Sequence, residues 1–279
     1  MIKLIKDYPV ETVCKALDFP RSSFYYQGEE PDETVLKKAI DELAAAWPTY
    51  GYRRITAMLQ RQSWCVNRKR VLRLMREMGL LSAPKPKKQR TTNSRHSHPR
   101  YSNLVANLTV VRPDHVWVAD ITYIRLRHEF VYLAVILDVF TRAIRGWHLG
   151  RSLELSLTLS ALRQALSKNP PEIHHSDQGI QYSAPAYTEI LLAAGVKISM
   201  AEVGEPRQNG FAERVIRTIK EEEVDLSDYQ DYPDARQQIK KFLEEVYNKK
   251  RIHSALGYLT PIEFENVWNQ KNKSEVKVH

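Results

Sequence analysis

The stretch HVWVADITYIRLRHEFVYLAVILDVFTRAIRGWHLG, residues 115–150, decides the fold. Its first two runs, HVWVADITYIRLR and FVYLAVILDVFTR, are rich in β-branched and aromatic residues, and a short polar turn around His128–Glu129 joins them. AIRGWHLG follows as a third run. Strands joined this closely are expected to pair antiparallel, as a meander. One residue interrupts the apolar texture. Asp120 sits inside the first strand with apolar neighbours on both sides. A buried carboxylate is costly unless it is paired or bound to a metal. Alone, it reads as a hydrogen-bonded core aspartate.

Downstream, helix and strand alternate: a helix over Ser152–Lys168, a strand over Glu172–Ser176, a helix over Ala184–Ala194 and a strand over Lys197–Ala201. SLELSLTLS alternates like a strand, but Leu155, Leu159, Leu162 and Leu166 also fit a helix, and the helix formers that follow favour it. IHHSDQGIQYS, residues 173–183, puts Asp177 at the end of the fourth strand, with Gly179 as a tight exit. A turn or cap would explain Asp177 equally well. RQNGFAERVIRTIKEEE, residues 207–223, reads as a helix with Phe211, Val215 and Ile219 on its apolar face. Glu213, Arg217 and Lys220 fall on the opposite side at i, i+4 and i+7, beside Asn209. An ordinary salt-bridged surface has the same pattern. A meander, then α-β-α-β and a closing helix, is the order of a ribonuclease-H-like α/β fold with a mixed five-stranded sheet. His175 is expected to pack, and Asp138 on the second strand reads as structural, near Arg142.

The front of the chain differs in charge. Residues 1–100 hold 20 Lys and Arg against 10 Asp and Glu, while the other 179 residues hold 22 and 23. Residues 51–100 carry 14 basic side chains against one acid, Glu77. The usual partner of such a surface is nucleic acid. YPVETVCKALDFPRSSFYY, residues 8–26, reads as two short helices around Phe19–Pro20, with Ser22 or Ser23 as cap of the second. DETVLKKAIDELAAAW, TYGYRRITAMLQRQ and VNRKRVLRLMREMGL read as three helices, the second entered through Gly51. Asn67 is the candidate N-cap of the third and Gly79 its stop. On that helix Val71, Met75 and Met78 form a core face, while Lys69, Arg73 and Arg76 form a cationic one. These cations, with Arg53, Arg54 and Arg68, are the candidate DNA contacts to phosphates and guanine edges. A solvated charged face is the plainer alternative. SAPKPKKQRTTNSRHSHPR reads as a linker whose His96 and His98 are solvated.

These textures divide the chain into a short helical segment (1–32), a basic helical unit (33–82), a basic linker (83–107), an α/β core (108–226) and a C-terminal helical segment with a tail (227–279); the resemblance given below implies that the second is a helix-turn-helix DNA-binding domain and the fourth a catalytic core. No apolar run is long enough to span a membrane, and the N-terminus does not read as a signal peptide. Cys14 and Cys65 lie far apart and lack metal-ligand spacing, which fits a reduced cytoplasmic protein.

Together, VWVADITYI, HSDQGIQYS and NGFAERVIRTIKEE resemble the three acidic motifs of DDE transposases and retroviral-type integrases. The 35 residues between Asp177 and Glu213 match that group's spacing, and Lys220 its usual basic position. YGYRRITAMLQRQSWCVNRKRVLRLMREMGL and YNKKRIHSALGYLTPIEF resemble the helix-turn-helix and C-terminal regions of second-frame transposases of the IS-three family. Many relatives have Asp-Asn-Ala before the glutamate, where this chain has Gln208-Asn209-Gly210. The resemblance implies that Asp120, Asp177 and Glu213 are catalytic and hold two Mg²⁺ ions, for which Mn²⁺ can substitute. It implies metal-dependent cleavage of double-stranded DNA at terminal inverted repeats, followed by strand transfer from the 3′-hydroxyl. Arg217 and Lys220 would meet phosphate near the scissile bond, and Asn209 beside them would contact DNA. At least a dimer is implied, in a bacterial, nucleoid-associated setting, and the chain can act fused to the product of an upstream reading frame. Two other readings are an inactive transposase-derived DNA-binding protein, against which the intact triad speaks, and a ribonuclease H, which leaves the N-terminal helices unexplained. A retroviral integrase proper would carry a His₂Cys₂ zinc domain, which neither cysteine offers.

Overall fold

The expected meander forms: β1 (Val116–Arg125), β2 (Phe130–Asp138) and β3 (Ile144–Gly150) pair antiparallel in sequence. The computed structural model describes residues 5, 7–25, 32–81, 99–202 and 204–276. β4 (Ile173–Ser176) joins the other edge of β1 in parallel, and β5 (Lys197–Met200) joins β4 in parallel. The five-stranded order is β3-β2-β1-β4-β5, the mixed sheet of a ribonuclease-H-like core. Parallel strands need crossovers, and here helices supply them. α6 (Leu155–Leu166) links β3 to β4, and α7 (Ile180–Ser183) with α8 (Pro185–Ala193) links β4 to β5.

Alternation along β1 sends its side chains to two cores. Val116, Val118 and Ile124 pack with Leu133, Val135 and, from α9 (Gly210–Glu222), with Val215 and Ile219. Trp117 and Ala119 pack on the other face with Leu157 and Leu162 of α6 and with Tyr187 and Leu191 of α8. α6 lies very close to β3 at Gly146. A Cβ there would collide with the Ala161 carbonyl and the Ala165 Cβ. After α9 come α10 (Tyr232–Lys241), a π-helical turn over Phe242–Tyr247 and α11 (Pro261–Val276). Phe242, Leu243 and Tyr247 close the first core.

At the front, α1 (Val10–Ala16) and α2 (Arg21–Tyr25) form the expected pair, although Ser22 and Ser23 lie inside α2 rather than capping it. α3 (Thr34–Ala46), α4 (Tyr52–Arg61) and α5 (Arg68–Glu77) share a core of Leu36, Ile40, Ile55, Leu59, Val71, Leu74 and Met75. Asn67 caps α5 as expected, its Oδ1 accepting from the Arg70 N–H at 2.8 Å. Gly79 ends that helix region at φ +70. Ile252, from the far end of the chain, completes this core.

One expectation about α9 is corrected. Phe211 does not line the buried face of α9. It is 46% exposed, with the Arg142 guanidinium 4.1 Å from its ring centroid. α9 starts at Gly210, after a 3-10 turn over Pro206–Asn209, and Ala212, Val215, Ile216 and Ile219 are its inward-facing apolar residues. Asp138 is structural and lies beside Arg142, as expected: its carbonyl accepts the Arg142 N–H at 2.9 Å, while its carboxylate pairs with Arg145 at 2.9 Å. The linker reading falls largely on residues 82–98, which lie outside the described residues together with His96 and His98. Its end is anchored, with the Leu104 N–H donating to Ser199 Oγ and Asn103 Nδ2 to Gln208 Oε1.

Candidate active site

The parallel register pairs Val118 with His175, so two residues further along Asp120 and Asp177 stand on neighbouring chains. Asp120 is half-buried in the middle of β1, where the Ile121 N–H donates to its Oδ1 at 2.8 Å. β4 stops at Ser176, which frees Asp177 from the ladder. The Gly179 N–H donates to Asp177 Oδ1 at 3.0 Å, and a Cβ on residue 179 would lie 2.9 Å from that oxygen.

Glu213 lies in the first turn of α9, on its exposed side. Asn209, expected to contact DNA, is instead buried just before the helix and donates from Nδ2 to the Ala119 carbonyl at 3.1 Å. That bond pins the start of α9 to the residue preceding Asp120. His175 reinforces the placement. Its Nδ1 lies 2.8 Å from Ser199 Oγ and its Nε2 3.1 Å from the Gln208 carbonyl. Burial lowers its pKa to about 4, so it is a neutral packing residue, as expected. His174, against Tyr187, is lowered to about 3 by burial and by the neighbouring His175.

The three acids share one electrostatic field. Burial pushes the Asp120 carboxyl up to about 7, and the negative charges of Asp177 and then Glu213 add to the rise. The Ile121 N–H and the Lys220 ammonium oppose it. Lys220 Nζ lies 4.5 Å from the centroid of the Tyr123 ring, which holds the cation near Asp120. Sequence reasoning passed over Tyr123; the signal was an aromatic at an outward-facing position of β1, three residues past the acid. Arg217 pairs with Glu221 at 3.6 Å on an exposed helix face. Among the described residues no three acidic, histidine or cysteine side chains close into a ready-made metal cluster. The acids therefore meet through their field rather than as a tight cage. Their donor chemistry suits a hard divalent cation: every atom offered is a carboxylate oxygen, and a cation relieves the repulsion that lifts Asp120.

The candidate DNA contacts separate into two groups. Arg53, Arg68, Lys69 and Arg76 are exposed on α4 and α5. Arg54 turns inward instead, 3.6 Å from Glu222 and with its guanidinium 5.0 Å from the Tyr50 ring centroid. Arg73 is exposed but held by Glu33 at 2.6 Å and Glu77 at 2.8 Å. Its charge is largely spent within the domain.

Comparisons with known proteins agree with this layout. Residues 110–206 match the family model described as integrase core domain, residues 194–261 match a second integrase core model, and residues 30–88 match the HTH-like domain. The chain is 33% identical over 280 residues to the transposase for insertion sequence element IS629 of Shigella sonnei, covering 95% of this chain and 94% of that one. It is 35% identical to the transposase for insertion sequence element IS904 of Lactococcus lactis, over 77% of this chain and 87% of that one. Among solved structures it is similar to the HTLV-2 integrase catalytic core domain in complex with magnesium, at 22% identity and a TM-score of 0.47, covering 56% of this chain and 98% of that one. The simian T-cell lymphotropic virus intasome is matched at 15% identity and a TM-score of 0.49, over 81% of this chain and 74% of that one.

Proposed function

Since this chain belongs to the insertion-sequence transposases, we propose that Asp120, Asp177 and Glu213 are its catalytic carboxylates. The observation that carries the assignment is the parallel register of β1 and β4, which sets Asp120 beside Asp177, with the start of α9, and so Glu213, pinned to the residue before Asp120. We infer that these oxygens hold two Mg²⁺ ions, with Mn²⁺ as a substitute. Bound divalent ions supply Lewis acidity at phosphorus and an activated attacking oxygen at neutral pH.

The chain's own residues do the rest. The Ile121 and Gly179 N–H groups fix the orientation of the Asp120 and Asp177 carboxylates. Asn209 fixes the origin of α9, and with it the reach of Glu213. Lys220 and Arg217, on the same helix, meet the anionic phosphate flanking the scissile bond. In the first step a water oxygen attacks phosphorus at the element end, the P–O3′ bond breaks, and the leaving oxygen takes a proton to become a 3′-hydroxyl. In the second, that hydroxyl oxygen attacks a phosphodiester of the target and displaces another 3′ oxygen. One P–O bond forms as another breaks, so joining needs no ATP. Arg53, Arg68, Lys69 and Arg76 bind the terminal inverted repeat, partly through phosphates and partly through base edges. Bringing two ends together requires at least a dimer.

The test is nicking and joining on duplex DNA carrying the native element ends, with Mg²⁺ or Mn²⁺. The wild-type chain is expected to make 3′-hydroxyl ends and joined products, and Asp177→Asn to make neither while still binding. Full activity of the Asp177→Asn chain would remove the triad. Binding without cleavage by the wild type, even when fused to the upstream product, would leave a DNA-binding protein.

A further inference from the structure

Glu222 ends α9, the helix that opens with Glu213 in its first turn. Its carboxylate is gripped from two directions. Arg251 donates from Nε at 2.6 Å to one oxygen and from Nη2 at 2.7 Å to the other, a bidentate pair with side chains only 3% and 9% exposed. Arg54, reaching over from α4 of the DNA-binding unit, lies 3.6 Å from the same carboxylate. Two further ties run in parallel. The Ile252 N–H donates to the Tyr50 hydroxyl at 3.1 Å, and the Ile252 side chain lies within the core of α3–α5. Arg61, at the end of α4, meets Glu263 at 2.5 Å and the Tyr258 carbonyl at 3.3 Å.

We propose that Arg54, Glu222 and Arg251 are positioning residues that bolt the DNA-binding helices to the helix carrying Glu213, so that where a DNA end is held determines which phosphodiester reaches the acids. This rests on the catalytic assignment above. Interfaces between domains of one chain are usually polar and permit relative motion. A nearly buried bidentate pair is different, because separating it strands charge away from water. Here the penalty is sharpened by the local excess of guanidinium. Burial holds His253 neutral, its pKa lowered to about 2, and the charges of Arg251, Arg54, Arg142 and Arg214 lower it further. Glu222 answers both arginines that touch it, so opening the junction on either side leaves a cation without its counter-charge. The helix between Glu222 and Glu213 is continuous, so a constraint at one end is carried to the other. Arg54 thus acts through Glu222 rather than on DNA.

The experiment uses the full chain with Arg54→Met, which keeps an apolar stem on Tyr50 but removes the charge, and Arg54→Lys as the conservative rescue. Three quantities are read: affinity for end DNA, the rate and position of cleavage, and the distance between spin labels on native Cys65 and on Leu192→Cys, with Cys14→Ser. Arg54→Met is expected to bind end DNA within about threefold of wild type and to cleave about ten- to a hundredfold more slowly, with cuts spread over neighbouring phosphodiesters. Its label distance broadens where the wild type gives one narrow distribution, and Arg54→Lys recovers part of each effect. Wild-type rate and cut position in Arg54→Met overturn the proposal, as does an unchanged distance distribution. Lost affinity with an unchanged rate at saturating DNA also overturns it, by making Arg54 a DNA ligand. If Arg54→Met does not fold, Glu222→Gln is read by the same three measures. If the wild type does not cleave even when fused to the upstream product, the catalytic assignment fails, and the distance distribution still decides the coupling.

Discussion

Asp120, proposed above as a catalytic carboxylate, carries a cost in folding stability. Its carboxyl is raised to about 7 by burial and like charges, so without a cation the folded protein binds a proton there more tightly than the unfolded chain does. A raised carboxylate makes the folded state more stable as pH falls. The melting temperature in chelator should therefore rise between pH 8 and pH 5, and Asp120→Asn should flatten that slope. At pH 8 without metal, Asp120→Asn should be the more stable protein by on the order of 1–3 kcal/mol, and inactive in nicking. A melting temperature below wild type would remove the conflict. At this scale the acids were readable from the chain, because three motifs in order and the spacing before Glu213 constrain one another. Arg54 and Arg73 were not. Their acidic partners Glu222 and Glu33 lie far away in sequence, and a helix wheel cannot distinguish a cation aimed at DNA from one already paired.

Elements were more legible than their edges. β-branched runs with short joins marked β1–β3, whereas α9 begins three residues later than its pattern suggests and Phe211, in its first turn, is exposed. Two predictions belong here. Gly146 has a backbone carbonyl and a methyl where a Cβ would go, so Gly146→Ala must push α6 off β3. It should cost roughly 1–3 kcal/mol or more by denaturant unfolding, whereas an unchanged midpoint would mean that α6 yields freely. Asn67→Ala removes the cap that the Arg70 N–H uses and should lower stability by about 1 kcal/mol. Its effect on DNA affinity should follow from fraying of α5 and vanish where the helix remains folded by circular dichroism.

On the scale of the whole molecule, the basic front and near-neutral body set the terms of DNA binding. Affinity for end DNA should fall steeply with salt, and Lys69→Ala should weaken binding to all sequences alike while reducing the log–log salt slope by about one. A slope unchanged by that substitution would take α5 off the phosphate backbone. Charge asymmetry of this kind can be read from composition. The return of residues 251–263 to the first domain cannot, because nothing local in RIHSALGYLTP announces that Ile252 fills a core built from residues 36–75. That return has a consequence for synthesis. A chain still on the ribosome makes its DNA-reading helices early, but their core stays open, and the Tyr50 hydroxyl lacks the Ile252 N–H, until residue 252 emerges. Competence to grip an element end therefore waits for that residue, and products truncated before it are born with an unsealed first domain.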